Sequence, residues 1–181
     1  PDSFQRIQDV ALSLSDGVLQ CSQPEGCPAA VIGTLVYFAK TLGMEGFGPE
    51  VVTALFQKGL LLNRSDFFKL TSSSFTGIER FGEILAAKLV AQVESVRKVG
   101  LALFLESLGV PELGRQFSRL LEKECRTMEA VLGLTEQDLL DKKRFPGIEL
   151  TTAVTLIAGL RKQAASISEL LEHIEVTAPA A

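Results

Sequence analysis

From about residue 28 onward, apolar positions recur at helical intervals and glycine or proline interrupts them at regular distances. In "AVIGTLVYFAKTL" the residues Val31, Ile32, Leu35, Val36 and Phe38 keep near-helical spacing. "PEVVTALFQKGLL" follows and opens with Pro49 and Glu50, residue types that favour a first helical turn. Further on, "NRSDFFKL" offers Asn63 or Ser65 as the cap of a short helix, and Thr127 and Thr135 are placed to cap two more. "TSSSFTGIERFGEILAAKLVAQVESVRKV" predicts a turn and then a helix of about five turns. Residues 1–30 differ. There "VALSLSDGVLQC" alternates apolar and polar around "SDG", the pattern of a small β-hairpin. The closing "TAPAA" predicts a frayed end.

The same unit recurs four times: helix, a tight turn carrying glycine, helix. The turns are "MEGFGPE" (44–50), "IERFGEI" (78–84), "GVPELGRQ" (109–116) and "FPGIELT" (145–151). Their glycines at 48, 82, 114 and 147 are 34, 32 and 33 residues apart, so the expected architecture is an all-α array of paired helices. The first turn has two glycines, Gly46 and Gly48, where a left-handed turn needs one. A helix start exposes unpaired N–H groups and a partial positive charge. A glycine just ahead of it lets an anion approach the backbone, whereas a Cβ would hold it off by roughly an ångström. Such turns recognise phosphate without reading bases.

Charge sharpens this expectation. The 181-residue chain is 46% apolar and 22% charged, which is globular, and it carries a net charge of −4. Bulk positive charge therefore cannot drive nucleic-acid binding. The one mildly basic stretch, 61–100, has six basic residues (Arg64, Lys69, Arg80, Lys88, Arg97, Lys98) against four acidic. Any nucleic-acid contact is expected to be local and to rest on backbone geometry. No apolar run approaches the roughly 18 residues of a membrane span, so no membrane partner is expected. The chain opens with Pro1, and it is expected to be a piece of a longer polypeptide. Three cysteines, Cys21, Cys27 and Cys125, are too few for a disulfide framework and predict a reducing cytoplasmic setting. No "KxDG" and no Walker-type loop occurs. The single His173 sits in no nucleophile motif, so the chain by itself is expected to be catalytically inert.

Taken in order, a Cys-Pro-Ala, a "GFG" hairpin, "GLL" with a "DFFKL" helix, an "RFGE" hairpin, "FLESLGV…LG" and "PGI" resemble the zinc-finger and helix-hairpin-helix region of bacterial NAD-dependent DNA ligases. The resemblance runs from about Val18 to Ile174. It implies a degenerate zinc-finger-like segment at 1–30, a domain of four helix-hairpin-helix motifs at 31–175, and a tail or linker start at 176–181. It further implies that the module helps a ligase encircle nicked double-stranded DNA by contacting the minor-groove backbone. Phosphate-facing backbone would lie at Gly46, Gly48, Gly82, Gly114 and Gly147, with Arg80, Lys88, Arg115 and Arg161 as supporting cations. NAD, a divalent metal and the adenylation lysine would belong to other domains of the parent enzyme.

The chain departs from the family pattern at two points. Such ligases carry a four-cysteine zinc site. Here Cys21 and Cys27 match the second pair, but the first falls on Ser3 and Arg6. Two thiols do not complete a zinc tetrahedron, so no zinc is expected and only Cys21 and Cys27 would be available to one. In the hairpins, Glu149 replaces a second glycine in the last turn, where it would repel phosphate, and "FGEIL" lacks the lysine many relatives carry after the second. The competing reading is an interaction or structural module of a degenerate ligase that no longer grips DNA strongly. The acidity, Glu149 and the missing cysteines favour that reading; the intact "GFG" and "ELG" turns oppose it.

Overall fold

The computed structural model describes residues 12–15, 18–21, 27–78 and 81–179. Strands β1 (Leu12–Ser15) and β2 (Val18–Cys21) pair antiparallel, with Leu12 opposite Cys21, as the alternating N-terminal pattern predicts. From Cys27 on the chain is overwhelmingly helical, as expected for the array.

Each of the four hairpin turns feeds a helix: α1 (Pro28–Leu42) leads into α2 (Pro49–Gln57), and the second turn leads into α3 (Glu83–Ser95). Helix α4 (Leu101–Ser107) precedes α5 (Arg115–Cys125). Two short helices, α6 (Met128–Leu132) and α7 (Glu136–Leu139), precede α8 (Leu150–Lys162), which runs on into α9 (Ala164–Leu171). The second unit departs from expectation, because its leading helix is only a 3₁₀ turn, Ser72–Phe75. Its following helix has 13 residues, shorter than five turns. The "RKVG" beyond it leaves the helix to become strand β3 (Lys98–Gly100), which pairs in parallel with β4 (Glu175–Thr177). Thus Val176 and Thr177, expected in a tail, are held in a ladder instead.

A continuous apolar core runs from Leu35 and Phe38 of α1 to Ile167 and Leu170 of α9. In its first half Phe38, Phe47 and Phe75 gather around or near Phe67, with centroids 5.8 Å (Phe38–Phe67) and 5.1 Å (Phe47–Phe67) apart. The first turn packs on the second unit: Glu45 N–H donates to Gln92 Oε1 at 3.2 Å, and Gly46 lies against Leu89 of α3. The third turn packs on the fourth in the same way, with Val110 against Gly159 of α8. The hairpins therefore pair first with second and third with fourth. Helix α1 joins the pairs by packing on α4, where Tyr37 Oη donates to the Glu106 carbonyl at 3.1 Å. Arg64 reinforces the joint by donating to the Leu108 carbonyl at 2.6 Å and to Gln163 Oε1 at 3.0 Å. Among the described residues no helix is long and apolar enough to cross a membrane.

Side-chain caps appear where the polar pattern places them. Asn63, rather than Ser65, caps the 3₁₀ helix Arg64–Lys69 in a reciprocal box with Asp66. Thr127 caps α6 and Thr135 caps α7. The Thr135 hydroxyl and N–H both donate to Asp138 Oδ2, at 2.7 and 2.8 Å, and hold that carboxyl below its ordinary range. A carboxyl depressed in the folded state stabilises the fold above its unfolded-state pKa, and the contribution disappears as pH falls through the depressed folded value. Asp138→Asn should therefore lose less stability than the wild type on acidification below about pH 5. Denaturant midpoints measured from pH 7 to pH 2 check this, and parallel curves would refute the linkage.

Candidate nucleic-acid interface

The four turns share one geometry. A middle apolar residue (Phe47, Phe81, Leu113 or Ile148) is turned into the core, fully buried at three sites and partly at Phe81. Where described, the residue before it has positive φ: Gly46 at 92°, Glu112 at 69° and Gly147 at 82°. Arg80, the corresponding residue of the second turn, lies outside the described residues. The residue after the plug is the helix N-cap, in extended conformation: Gly48 (φ −76°), Gly82 (−81°), Gly114 (−79°) and Glu149 (−104°).

The two glycines of "GFG" therefore have different causes. Gly46 has left-handed backbone, and a Cβ there would stand 2.6 Å from Leu89 Cδ2, so the fold itself demands glycine. At Gly48, Gly82 and Gly114 the φ values suit any residue, and a Cβ would meet nothing within 4 Å. Neither conformation nor packing explains glycine at these three N-caps, where Ser, Thr, Asp or Asn would stabilise an isolated helix as well or better. Their common property is an open approach to the helix start.

That start is unsatisfied from within. None of the four has a side-chain cap. The first intrahelical bonds are Val52 to Gly48, Ala86 to Gly82, Ser118 to Gly114 and Ala153 to Glu149. The N–H groups ahead of those residues find no partner among the described residues. By contrast, Thr127, Thr135 and Asn63 cap helices that follow no hairpin. At α4, Glu122 Oε1 accepts from the Ala102 N–H at 3.0 Å. Side-chain capping is thus found at three helices outside the hairpins and at none of the four that follow a turn; α1, α4 and α9 lack it as well, α4 behind the extended Gly100.

The candidate cations are placed unequally. Arg115 is the first residue of α5, exposed, with Nε 3.4 Å from Glu106 Oε1. Lys88 is exposed on the second turn of α3, with no ion pair among the described residues. Arg161 sits in the last turn of α8, roughly 18 Å along the helix from Glu149, and pairs with Glu136 at 3.7 Å. It is not brought to the hairpin. Gly114, Gly147 and Arg115 do converge, on a cleft of about 790 Å³ between the third and fourth turns that Arg119 and Lys123 also line. Those two were missed from sequence, although their i, i+4, i+8 spacing with Arg115 was the available signal. Gly46 and Gly48 line a separate cleft of about 460 Å³ with Lys40.

The described cysteines differ in part from the expectation made for them. Cys27, the N-cap residue of α1, is buried and disulfide-bonded, contrary to the expectation of reduced thiols. The side chain of Cys21 lies outside the described residues. Burial pushes the Cys125 thiol up, away from the thiolate a metal requires. Among the described residues no three His, Cys, Asp or Glu side chains are grouped to hold a metal.

Comparison with known proteins agrees with the turn pattern. No protein-family model matches the chain. It is 34% identical over 183 residues to the DNA ligase of Halorhodospira halophila, covering 98% of this chain and 24% of that protein. Against the DNA ligase of Haloarcula marismortui the identity is 32% over 160 residues, with 86% and 23% covered. For the DNA ligase of Bacillus velezensis it is 30% over 159 residues, with 87% and 23% covered. The chain thus resembles DNA ligases over most of its length and spans about a quarter of the length of these relatives.

The two glycine classes predict unequal stability effects. Gly46→Ala should cost about 1–3 kcal/mol through backbone strain and the Leu89 contact. Gly48→Ala should change stability by less than about 1 kcal/mol. Urea denaturation of both variants checks this, and equal losses would remove the distinction.

Proposed function

We propose that this stretch of ligase-like sequence is the non-catalytic DNA-gripping region of an NAD-dependent DNA ligase, acting in DNA replication and repair. It contacts backbone phosphates of nicked duplex through the amides of its hairpin turns. The observation that supports this most is the set of three glycine N-caps with extended backbone, open approach and uncapped N–H groups. A phosphate oxygen supplies the missing acceptors, and the helix dipole adds to the attraction. Such donors carry no net charge, which fits an acidic chain. Adenylation, NAD and divalent metal belong in this proposal to other segments of a cytoplasmic parent enzyme, and those segments are its protein partners.

A second reading has its own support. Arg115 and Arg161 are ion-paired to Glu106 and Glu136, and Glu149 places a carboxylate at the fourth helix start. A module that had given up DNA for a protein partner would show such features.

Fluorescence anisotropy of this chain with nicked, intact and single-stranded DNA, titrated with salt, separates the two. The DNA-gripping reading expects duplex or nicked DNA to bind with a shallow salt slope, because few counterions are released. Absence of binding at low salt favours the interaction module. Replacing Gly48 and Gly114 together with valine should weaken binding at least tenfold with helicity by circular dichroism nearly unchanged. Glu149→Gly should tighten it by removing a carboxylate from a phosphate-facing turn. Unchanged affinity in the double valine variant would sink the amide assignment.

A further inference from the structure

The two hairpin pairs differ in charge. Helix α5 presents Arg115, Arg119 and Lys123 at i, i+4 and i+8, and all three line the cleft between the third and fourth turns. The acidic residues of the same helix are engaged elsewhere: Glu122 accepts from the Ala102 N–H, and Glu124 pairs with Arg144 at 3.7 Å. Among the described residues no carboxylate lies within ion-pair distance of Arg119 or Lys123, while Arg115 is shared with Glu106. The cleft contains one acidic residue, Glu112, beside the third turn. The corresponding positions of α2, counted from its glycine cap, are Pro49, Thr53 and Gln57, which carry no charge.

We infer that the cleft between the third and fourth hairpins is a charged track for one phosphodiester strand, and that neither α2 nor α3 of the first pair carries an equivalent row of cations. The inference rests on the DNA-gripping reading and adds to it a division of labour. The eight helical steps from Arg115 to Lys123 span roughly 12 Å, enough to follow a strand past more than one phosphate. The amides of Gly114 and the residues behind it fix one end of that strand, and Arg119 and Lys123 extend the hold along it. In the first pair the cations are scattered, with Lys40 lining the first cleft and Lys88 exposed on α3. The larger share of the salt dependence therefore comes from the second pair.

The test compares Arg119→Gln/Lys123→Gln with a charge-matched control, Lys69→Gln/Lys98→Gln, by salt-titrated anisotropy on nicked duplex. Lys69 and Lys98 lie away from the cleft and pair with Asp66 and Glu175. The cleft variant should lower the slope of log affinity against log salt by about 1–2 and weaken low-salt binding at least fivefold, with the control close to wild type. Wild-type binding with an unchanged slope in the cleft variant overturns the track and leaves the amide grip standing. Equal losses in both variants reduce the effect to net charge and also overturn it. No wild-type binding to any DNA overturns both proposals. Binding of a polyglutamate peptide in place of duplex would reassign the cleft to an acidic protein partner and likewise overturn it.

Discussion

Phe47, Leu113 and Ile148 each have to reach the core from the middle of a turn only a few residues long, and Phe81 does so in part. Burying a side chain of that size contributes roughly 1.5–3 kcal/mol, and the backbone on either side has to comply. The residue before the plug takes positive φ, as Gly46, Glu112 and Gly147 do. The residue after it is extended and becomes the N-cap of the next helix. With the plug turned inward, the helix start is left at the surface. Inward burial and outward presentation of amides are two sides of one constraint, and the pairing of turns on Leu89 and Gly159 locks both in place.

The same constraint would let even an acidic chain receive a polyanion, as the proposed function requires. Amide dipoles act only at contact distance, so the net charge of −4 matters less to them than to side-chain cations. Three helices outside the hairpins begin with a polar cap, Asn63, Thr127 or Thr135. At three hairpins the chain uses glycine and forgoes a side-chain cap worth roughly a few tenths of a kcal/mol over glycine. That choice lowers the intrinsic stability of α2, α3 and α5, which packing of their apolar faces has to offset. Glu149 breaks the series. It is exposed and makes no capping bond to its own helix, so α8 gains little from it locally.

Much of this was legible in the sequence because glycine spacing and helical periodicity report backbone demands directly. The four turns, the Asn63, Thr127 and Thr135 caps and the β1–β2 hairpin all follow from local pattern. What escaped was non-local. Ser72–Phe75 lacks the length of a helix, and nothing in its local composition marks it as the lead of the second hairpin. Lys98–Gly100 looks like the end of a helix until Glu175–Thr177 arrives to pair with it, 77 residues later. Gly46 and Gly48 are indistinguishable as letters; only the folded backbone, left-handed at Gly46 with Leu89 of another helix beside it, tells a glycine the fold requires from one it does not. The cleft cations were hidden for the same reason. Arg119 and Lys123 are ordinary surface residues of α5 until the fourth turn comes alongside.

Presentation of amides is useful only if the four turns hold fixed positions before a ligand arrives, because ordering them on binding would consume affinity. Arg64 bears on this directly. Its guanidinium lies largely buried between the first hairpin pair and the second, over the Phe38 ring, donating to the Leu108 carbonyl and Gln163. Its Nε is buried without a partner, and burial lowers its pKa. A cation placed so, with no carboxylate within ion-pair distance among the described residues, contributes little net stability of its own. What it does is fasten the end of α4, just ahead of the third turn, to the junction of α8 and α9. The β3–β4 ladder performs the same service on the other side, where Phe68 is stacked with His173 at 5.6 Å and Arg97 lies over its ring at 5.5 Å. Two separate sets of contacts thus tie one hairpin pair to the other. A fixed array of amide donors to phosphate would need such a joint.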